Sequence, residues 1–578
     1  MITLTINGQS VSVPAGTTVL EAAKEIGVEI PKLCHLKDSN EIGACRICVV
    51  EVEGRRNLPA SCVLPAEEGM VVKTHTKRVL EARQMNVQMM LSAHPQDCLQ
   101  CVRSQNCGLQ NLSQELGVRD VETVNYEEAV IDEGAVIYRD VNKCILCRRC
   151  VAVCEEVQGM TILGALGRGI DTVISPAWHQ SLDQVSCTFC GQCVQVCPVG
   201  ALYERNDVNQ VWDMLSSDAH VVVQVAPAVR TALGEEFGLP AGTDVTGKMV
   251  TALRRLGFNH VFDTNFTADV TIMEEGHELL ERIKTNDLPL LTSCSPGWIR
   301  FVEEHYPSLT KYLSTCKSPQ QMFGALAKTY LAQVEGIDPA SIKTVSIMPC
   351  TAKKYEAARP EMNDSGYQDV DVVLTTRELA LLMKQAGLQL AKLKDEEFDA
   401  PMGMSSGGAV LFGQSGGVME AALRTLLAAY PDRVKLEESD AGSKVFVDGS
   451  EVKVKVVSGL KQARRVLDDI AAGKMPAHFV EIMACPGGCV NGGGQPTVID
   501  QQQRQEIIKK RRISLKDLDK TAVIAGSHEN LAVQRLYETF LQHPLSEVSH
   551  HLLHTNYKGP EQGATNAEPL PESETSKH

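Results

Sequence analysis

Hydrophobic and polar positions alternate strictly at the start of the chain. In "ITLTINGQSVSV", residues 2–13, apolar and hydroxyl-bearing side chains take turns on either side of an Asn-Gly pair. Such alternation places every second side chain on one face of a strand, and Asn-Gly is the pair that a two-residue hairpin turn favours. The period then changes: "TVLEAAKEIGV" reads as a helix capped by Thr18, with Glu21 three residues on. From about residue 209 the texture changes again. "HVVVQVAPAVRTALG" and "IKTVSIMPCTAKKYEAARP" are apolar strands running into turns and then helical patterns, the βα alternation of an α/β domain. "TIMEEGHELLERI" predicts a helix with Glu275 and Glu278 three apart on one face. The closing "KGPEQGATNAEPLPESETSKH" has little to bury, and a disordered tail is expected over 558–578.

A chain of 578 residues exceeds one compact core, so several domains are expected. With 56 basic against 72 acidic side chains, the net charge of −16 argues against a nucleic-acid partner. The N-terminus lacks the basic and apolar regions of a secretory signal, and no apolar run suits a membrane span. A cytoplasmic protein without a membrane partner is expected. Its 20 cysteines are then unlike disulfides, since that compartment keeps thiols reduced.

Their spacing falls into groups. Cys34, Cys45, Cys48 and Cys62 give C-x10-C-x2-C-x13-C behind the strand pair and helix. This resembles the β-grasp fold of [2Fe–2S] ferredoxins, although the plant-type spacing puts four residues between the first two cysteines. The longer interval resembles the [2Fe–2S] domain of complex I's large iron–sulfur subunit. His94, Cys98, Cys101 and Cys107 follow as H-x3-C-x2-C-x5-C. That pattern resembles the His-ligated [4Fe–4S] cluster of complex I and related hydrogenases. "CILCRRCVAVC" and "CTFCGQCVQVCP" are a duplicated C-x2-C-x2-C-x3-C, the two-cluster ferredoxin run in which each fourth cysteine serves the other cluster. Cys144, Cys147, Cys150 and Cys197 are thus expected on one cube, and Cys187, Cys190, Cys193 and Cys154 on the other. Zinc ribbons also use paired C-x2-C units, but not in crossed triplets.

Three turns in the second half carry the remaining chemistry: "TSCSPGW", "MPCTAKKYE" and "EIMACPGGCVNGGGQP". The glycines of the last let the backbone approach a bulky ligand closely, and it lacks the G-K-[ST] of a phosphate loop. No G-x-G-x-x-G follows a strand, so no nicotinamide or flavin site is expected in this chain. Together the turns resemble the signature motifs of [FeFe]-hydrogenases, and the likeness runs from residue 1 to about 557. The C-terminal "SHEN" and "LSEVSHHLLHTNY" fit the catalytic subunits of NAD(P)-linked members.

That resemblance implies an H-cluster, a [4Fe–4S] cube tied to a diiron unit with CO, cyanide and azadithiolate, installed by maturation proteins. It implies that Cys350 and Cys485 ligate the cube and that Cys489 bridges it to the diiron unit. Lys353 would donate to a cyanide, while Pro227, Gln320, Met348, Phe412, Gly413 and Met483 line the pocket. Protons would pass from Cys294 through Glu275 and Ser314 to Glu278. Electrons would reach ferredoxin or NAD(P)-binding flavoprotein subunits through the N-terminal clusters. The family's first motif carries two adjacent cysteines; here Thr292, Ser293, Pro296, Gly297 and Trp298 fix the register, so Ser295 occupies the ligand position. Serinate ligation, a water-bound or Cys294-bound iron, and a defective cube all remain open. The competing readings are a non-catalytic electron-transfer or iron–sulfur assembly protein, which Ser295 favours, and a complex I subunit, which leaves the C-terminal motifs without a purpose. Cys316 is expected to be a packed thiol.

The expected architecture is multidomain, α+β and α/β. It comprises a [2Fe–2S] β-grasp domain over 1–78, a [4Fe–4S] domain with one histidine and three cysteines over 79–118, and a two-cluster ferredoxin domain over 135–208. A two-lobed α/β H-cluster domain over 209–557 and the tail complete it.

Overall fold

The computed structural model describes residues 1–119, 121–122, 131–439, 442–475, 477–498 and 500–557; the expected tail over 558–578 lies outside the described residues. Strands Ile2–Ile6 and Gln9–Val13 pair antiparallel across the Asn-Gly turn. Asn7 and Gly8 sit at φ +50° and +84°, the left-handed pair that the turn needs. Thr18 and Glu21 form a reciprocal capping box on helix Val19–Glu25. Val71–Lys73 joins parallel to the first strand, with Glu51–Val52 outside it, giving a four-stranded β-grasp sheet. Leu4, Ile6, Val11 and Val13 close its core against Val19, Ala22 and Ala23.

Helix Lys77–Ser92, N-capped by the Thr76 side chain, carries the chain to the loop around His94. Beyond it, two short helices, Arg149–Ala152 and Gln192–Val196, follow the paired cysteine loops. Both loops take the same backbone path. Leu146 and Arg148 lie at φ +54° and +59°, and the equivalent Phe189 and Gly191 at +52° and +67°. Three of the four are not glycine, and such strain persists only where the surroundings over-determine it.

The second half contains two parallel sheets. One runs His260–Asp263, His220–Val225, Ile342–Met348, Val372–Thr375; the other runs Leu290–Leu291, Phe479–Met483, Val454–Ser458. Their near-continuous apolar runs, such as Val221–Val223, are buried because helices cover both faces. The carboxyl ends of strands from both sheets run into the turns that carry the candidate residues. Ligands bind outside such strand ends in open α/β sheets. An antiparallel three-stranded meander, from Val434 to Val452, adds to this half, and nothing in the sequence pattern had marked it. Among the described residues no helix is long and apolar enough to cross a membrane.

Candidate active site

Four strand ends build one cavity. Pro227 follows strand His220–Val225, Cys294 and Ser295 follow Leu290–Leu291, Cys350 follows Ile342–Met348, and Cys485 follows Phe479–Met483. All of these line a cavity of about 90 Å³, together with Cys489, Lys353, Gln320, Met348, Phe412 and Met483. Gly413 is not among the lining residues. A Cβ there would meet Leu515 Cδ1 at 2.6 Å, so its lack of a side chain serves packing behind Phe412.

Burial sets the state of the thiols. It pushes Cys294 and Cys485 well above the usual thiol range and Cys489 up to about 12, so in the bare protein all three hold their protons. Lys353 Nζ is 2.8 Å from Glu356 Oε2 and 2.7 Å from Ser318 Oγ, and it donates to the Cys294 carbonyl at 3.3 Å. Gln320 Nε2 donates to the same Glu356 oxygen at 3.0 Å. Its Oε1, although buried, finds no hydrogen-bond partner among the described residues. A buried orphan amide oxygen in a thiol-lined cavity points to a missing polar occupant.

Ser295 Oγ accepts a hydrogen bond from the Ala484 N–H at 3.2 Å. It opens helix Pro296–His305, whose Pro at the first turn fits a fixed φ and a missing donor. Behind Cys294 lies the long helix Thr264–Thr285. Burial, then the neighbouring Glu278, raises Glu275 to about 8, while hydrogen bonds from Ser314 and the Ser293 main chain oppose the rise. Ser314 Oγ donates to Glu278 Oε2 at 2.7 Å, and Arg282 holds the other oxygen at 2.8 Å. The structure therefore brings Cys294, Glu275, Ser314 and Glu278 into one buried neighbourhood.

The N-terminal cysteines also converge. Cys144, Cys147, Cys150 and Cys197 line one small cavity, the crossed set expected from the spacing. Cys193 lies close to Cys190, Cys187 and Cys154, whose charges raise it after burial has done so. Cys45 and Cys48 are pulled down to about 6 and about 7 by hydrogen bonds from Cys34 and Cys62. His94 Nδ1 is buried without a partner among the described residues. Burial holds its ring below the usual range, and the neutral ring is the ligand form. These groups fit iron–sulfur clusters by donor type, and the His94 ring also by its unpartnered nitrogen.

Contacts between the groups are equally specific. Asn40 Nδ2 donates to the carbonyls of both Cys34 and Cys147, at 2.7 and 2.9 Å. A Cβ on Gly200 would stand 2.6 Å from Cys101 Sγ, so the His94 loop packs directly on the ferredoxin turn. A Cβ on Gly191 would meet Gly493 Cα at 2.7 Å, and one on Gly493 would meet Gly191 Cα at 2.6 Å. Backbone lies on backbone there, between the second ferredoxin loop and the Gly-rich turn. Cys190 itself lines the main cavity.

Sequence reasoning missed Ser318 and Glu481. The Ser318 hydroxyl meets Lys353 and donates to Glu356 at 2.9 Å, and no local pattern marks it. Glu481, fully buried, accepts from the Gly416 and Met419 N–H groups, and burial raises it to about 7. A lone acidic residue in the apolar strand "FVEIM" was the available signal.

Comparison with known proteins agrees with this geometry. Residues 219–493 match the iron only hydrogenase large subunit, C-terminal domain, and 505–559 match the iron hydrogenase small subunit. The 2Fe-2S iron-sulfur cluster binding domain matches 1–77. The NADH-ubiquinone oxidoreductase-G iron-sulfur binding region matches 83–122, and the ferredoxin-like domain of NADH-quinone oxidoreductase subunit 3 matches 134–203. The chain is 49% identical to the NADP-reducing hydrogenase subunit HndD of Solidesulfovibrio fructosivorans, over 96% of this chain and 99% of that one. It is 39% identical to iron hydrogenase 1 of Clostridium pasteurianum, over 96% and 100%. An apo [FeFe]-hydrogenase HydA1 structure from Chlamydomonas reinhardtii superposes with a TM-score of 0.52 at 39% identity, covering 61% of this chain and 99% of that one.

Proposed function

The chain belongs to the iron-only hydrogenase family and is an iron hydrogenase, and we propose that its strand-end cavity holds an H-cluster in which Cys350, Cys485 and Cys489 bind the cube. Cys489 would be shared with the diiron unit carrying CO, cyanide and azadithiolate, and Ser295 would supply the fourth donor to the cube. When bound, that group supplies the interconversion 2H⁺ + 2e⁻ ⇌ H₂, which no side chain can perform.

The chain's own residues supply orientation and protons. Cys294 holds a proton at Sγ on the cavity wall, because burial keeps its thiol from ionising. Glu275, raised to about 8, is protonated at neutral pH and so can both donate and accept. Ser314 passes the proton on through its 2.7 Å hydrogen bond to Glu278, which Arg282 fixes in place. Lys353, fixed by Glu356 and Ser318, presents a cation to an anionic ligand. Phe412, Met348 and Met483 keep water from the reacting centre.

Four further clusters form the wire: one [2Fe–2S] on Cys34, Cys45, Cys48 and Cys62, and three [4Fe–4S]. The first of these cubes uses His94, Cys98, Cys101 and Cys107, and the crossed ferredoxin sets hold the other two. The Gly191–Gly493 contact brings the last of them against the cavity. An NAD(P)-linked flavoprotein is the electron partner, a reading supported by the relative named as an NADP-reducing hydrogenase subunit and by the NADH-oxidoreductase-type N-terminal domains. Ferredoxin is the other candidate, and maturation proteins would deliver the diiron unit.

The observation that carries this reading is the convergence of Cys294, Ser295, Cys350, Cys485 and Cys489 in one buried cavity beside Lys353. Infrared spectroscopy of protein produced with the maturation machinery tests it. CO and cyanide bands together with hydrogen turnover are expected. A matured chain with all its cubes but neither bands nor turnover would instead match a non-catalytic electron carrier.

A further inference from the structure

At the outer end of the relay, Glu278 meets Cys316 and His554, two buried residues that the reading above leaves unused. One carboxylate oxygen, one sulfur and one ring nitrogen from these three lie within 4.8 Å of one another. Cys316 Sγ is 3.9 Å from Glu278 Oε2 and 4.0 Å from His554 Nδ1. We propose that Glu278, Cys316 and His554 form a Zn²⁺ site that, when filled, closes the relay at Glu278. The closure rests on the relay reading; the binding does not.

The donor set suits the ion. Thiolate, imidazole and carboxylate are zinc's protein ligands, and a tetrahedral shell puts donors roughly 3.4–3.7 Å apart. The two sulfur spacings, 3.9 and 4.0 Å, need to contract by only a few tenths of an ångström, and the carboxylate and ring must close from within 4.8 Å. His554 is also oriented as a ligand. Its Nε2 stands 3.1 Å from Glu274 Oε2. Glu274 is itself fixed by the Tyr537 hydroxyl at 2.6 Å and the Leu545 N–H at 2.8 Å. An ionised carboxylate only accepts, so Nε2 carries the hydrogen and Nδ1 keeps a lone pair, which accepts from the Thr315 hydroxyl at 2.8 Å with Cys316 Sγ 4.0 Å away. That is the carboxylate–histidine–metal arrangement of many zinc sites. An ion bound at Nδ1 replaces this Thr315 hydrogen bond, and the hydroxyl lies near enough to turn toward the ion as an oxygen donor.

Charge and access agree. Two carboxylates and a thiolate would balance Arg282, already bound to Glu278 Oε1, and one divalent cation. His554 also lines an open cleft with His550, His551, Glu303 and Glu304, and the His550 ring lies 4.2 Å from its own. This cleft is the entry path that a buried metal site requires. The consequence follows from one atom. Glu278 Oε2 is the oxygen that receives the Ser314 hydrogen bond, and a divalent cation on that oxygen lowers its affinity for the proton the relay must pass to it.

The test uses the full chain with its iron–sulfur clusters, first made without the maturation factors and then matured. Zinc chloride added at one equivalent should be retained through dialysis. X-ray absorption should then show one sulfur and otherwise nitrogen or oxygen neighbours, with iron content unchanged. Cys316→Ala and His554→Gln should each lose that zinc, and Glu274→Gln should weaken it about 10–100-fold. Because His554 also anchors Glu274, Cys316→Ala carries the comparison if His554→Gln fails to fold. In matured enzyme, zinc should lower hydrogen turnover by about a hundredfold, the contribution of a positioned proton carrier. A chelator should restore it, and Cys316→Ala should keep its turnover with or without zinc. No retained zinc, several sulfur neighbours, or equal retention by both variants overturns the proposal. Zinc held with the expected shell while turnover is unchanged keeps the site and removes it from the relay.

Discussion

In the first 208 residues each group of converging thiols comes from short runs of chain: Cys144 to Cys150 is one loop, and its crossed partner Cys197 closes the duplicate loop. The cavity of the second half instead draws its thiols from three separate turns of a two-sheet domain, at Cys294, at Cys350 and at Cys485 with Cys489, and from Cys190 of the second ferredoxin loop. The first kind of site depends on local backbone geometry, including left-handed residues held at Leu146, Arg148 and Phe189. The second depends on sheets holding remote strand ends at a common point. Each is therefore vulnerable in its own way. Loop sites should fail one at a time, whereas the cavity and its relay should respond to changes anywhere in the converging set.

The largest expected effect falls on the relay. Cys294→Ala should lower hydrogen turnover by about 10²–10⁴-fold while leaving iron content and the diiron infrared bands in place. Near-normal turnover would show that protons enter elsewhere. Glu275→Gln should also stall turnover, since an amide fills the space but cannot ionise. It adds a stability signature. Glu275 is raised from 4.5 to about 8 in the fold, so between those values the folded chain binds more protons than the unfolded chain. Stability contributed by this group therefore falls as pH rises through that window, and Glu275→Gln should flatten the slope. An unchanged pH dependence of the melting temperature would disprove the assigned environment.

A middle-sized effect is expected at the seam between the two regions. Gly191→Ala places a Cβ 2.5 Å from Thr351 Oγ1 and 2.7 Å from the Cα of Gly493, and the backbone atom cannot turn aside as a side chain can. It should slow electron exchange between the ferredoxin cubes and the cavity, read as slower reduction by an external donor with normal cluster content. If exchange is unaffected, the seam is not the electron route.

Ser295→Cys tests the cavity's departure from the family pattern. Hard alkoxide favours ferric iron more than thiolate does, so the natural protein should have the cube of lower potential and the cysteine variant should be easier to reduce. An unchanged redox titration would mean that Ser295 is only the acceptor for the Ala484 N–H. The smallest effect is expected at Asn40→Ala, which leaves the carbonyls of Cys34 and Cys147 without their shared donor. A loss of about 1–3 kcal/mol is expected, read in chemical denaturation. A larger loss, with missing [2Fe–2S] signal, would make Asn40 part of cluster assembly.

Elements and cluster motifs were legible in the sequence alone. The hairpin at Asn7–Gly8, the capped helix at Thr18, the apolar strands and the crossed ferredoxin sets are all written in neighbours or fixed short spacings, and local geometry obeys them. The residues of the cavity and relay were legible only through likeness to a family, because nothing local links Cys294 to Lys353 or Ser314 to Glu278. Tertiary packing made those pairings, and with them Ser318 against Lys353, Glu481 beneath two backbone amides, Gly413 behind rather than in the cavity wall, and His554 against Cys316. The physical reason is that a buried polar group must find its partner wherever the packed chain brings one, and sequence separation carries no information about that distance.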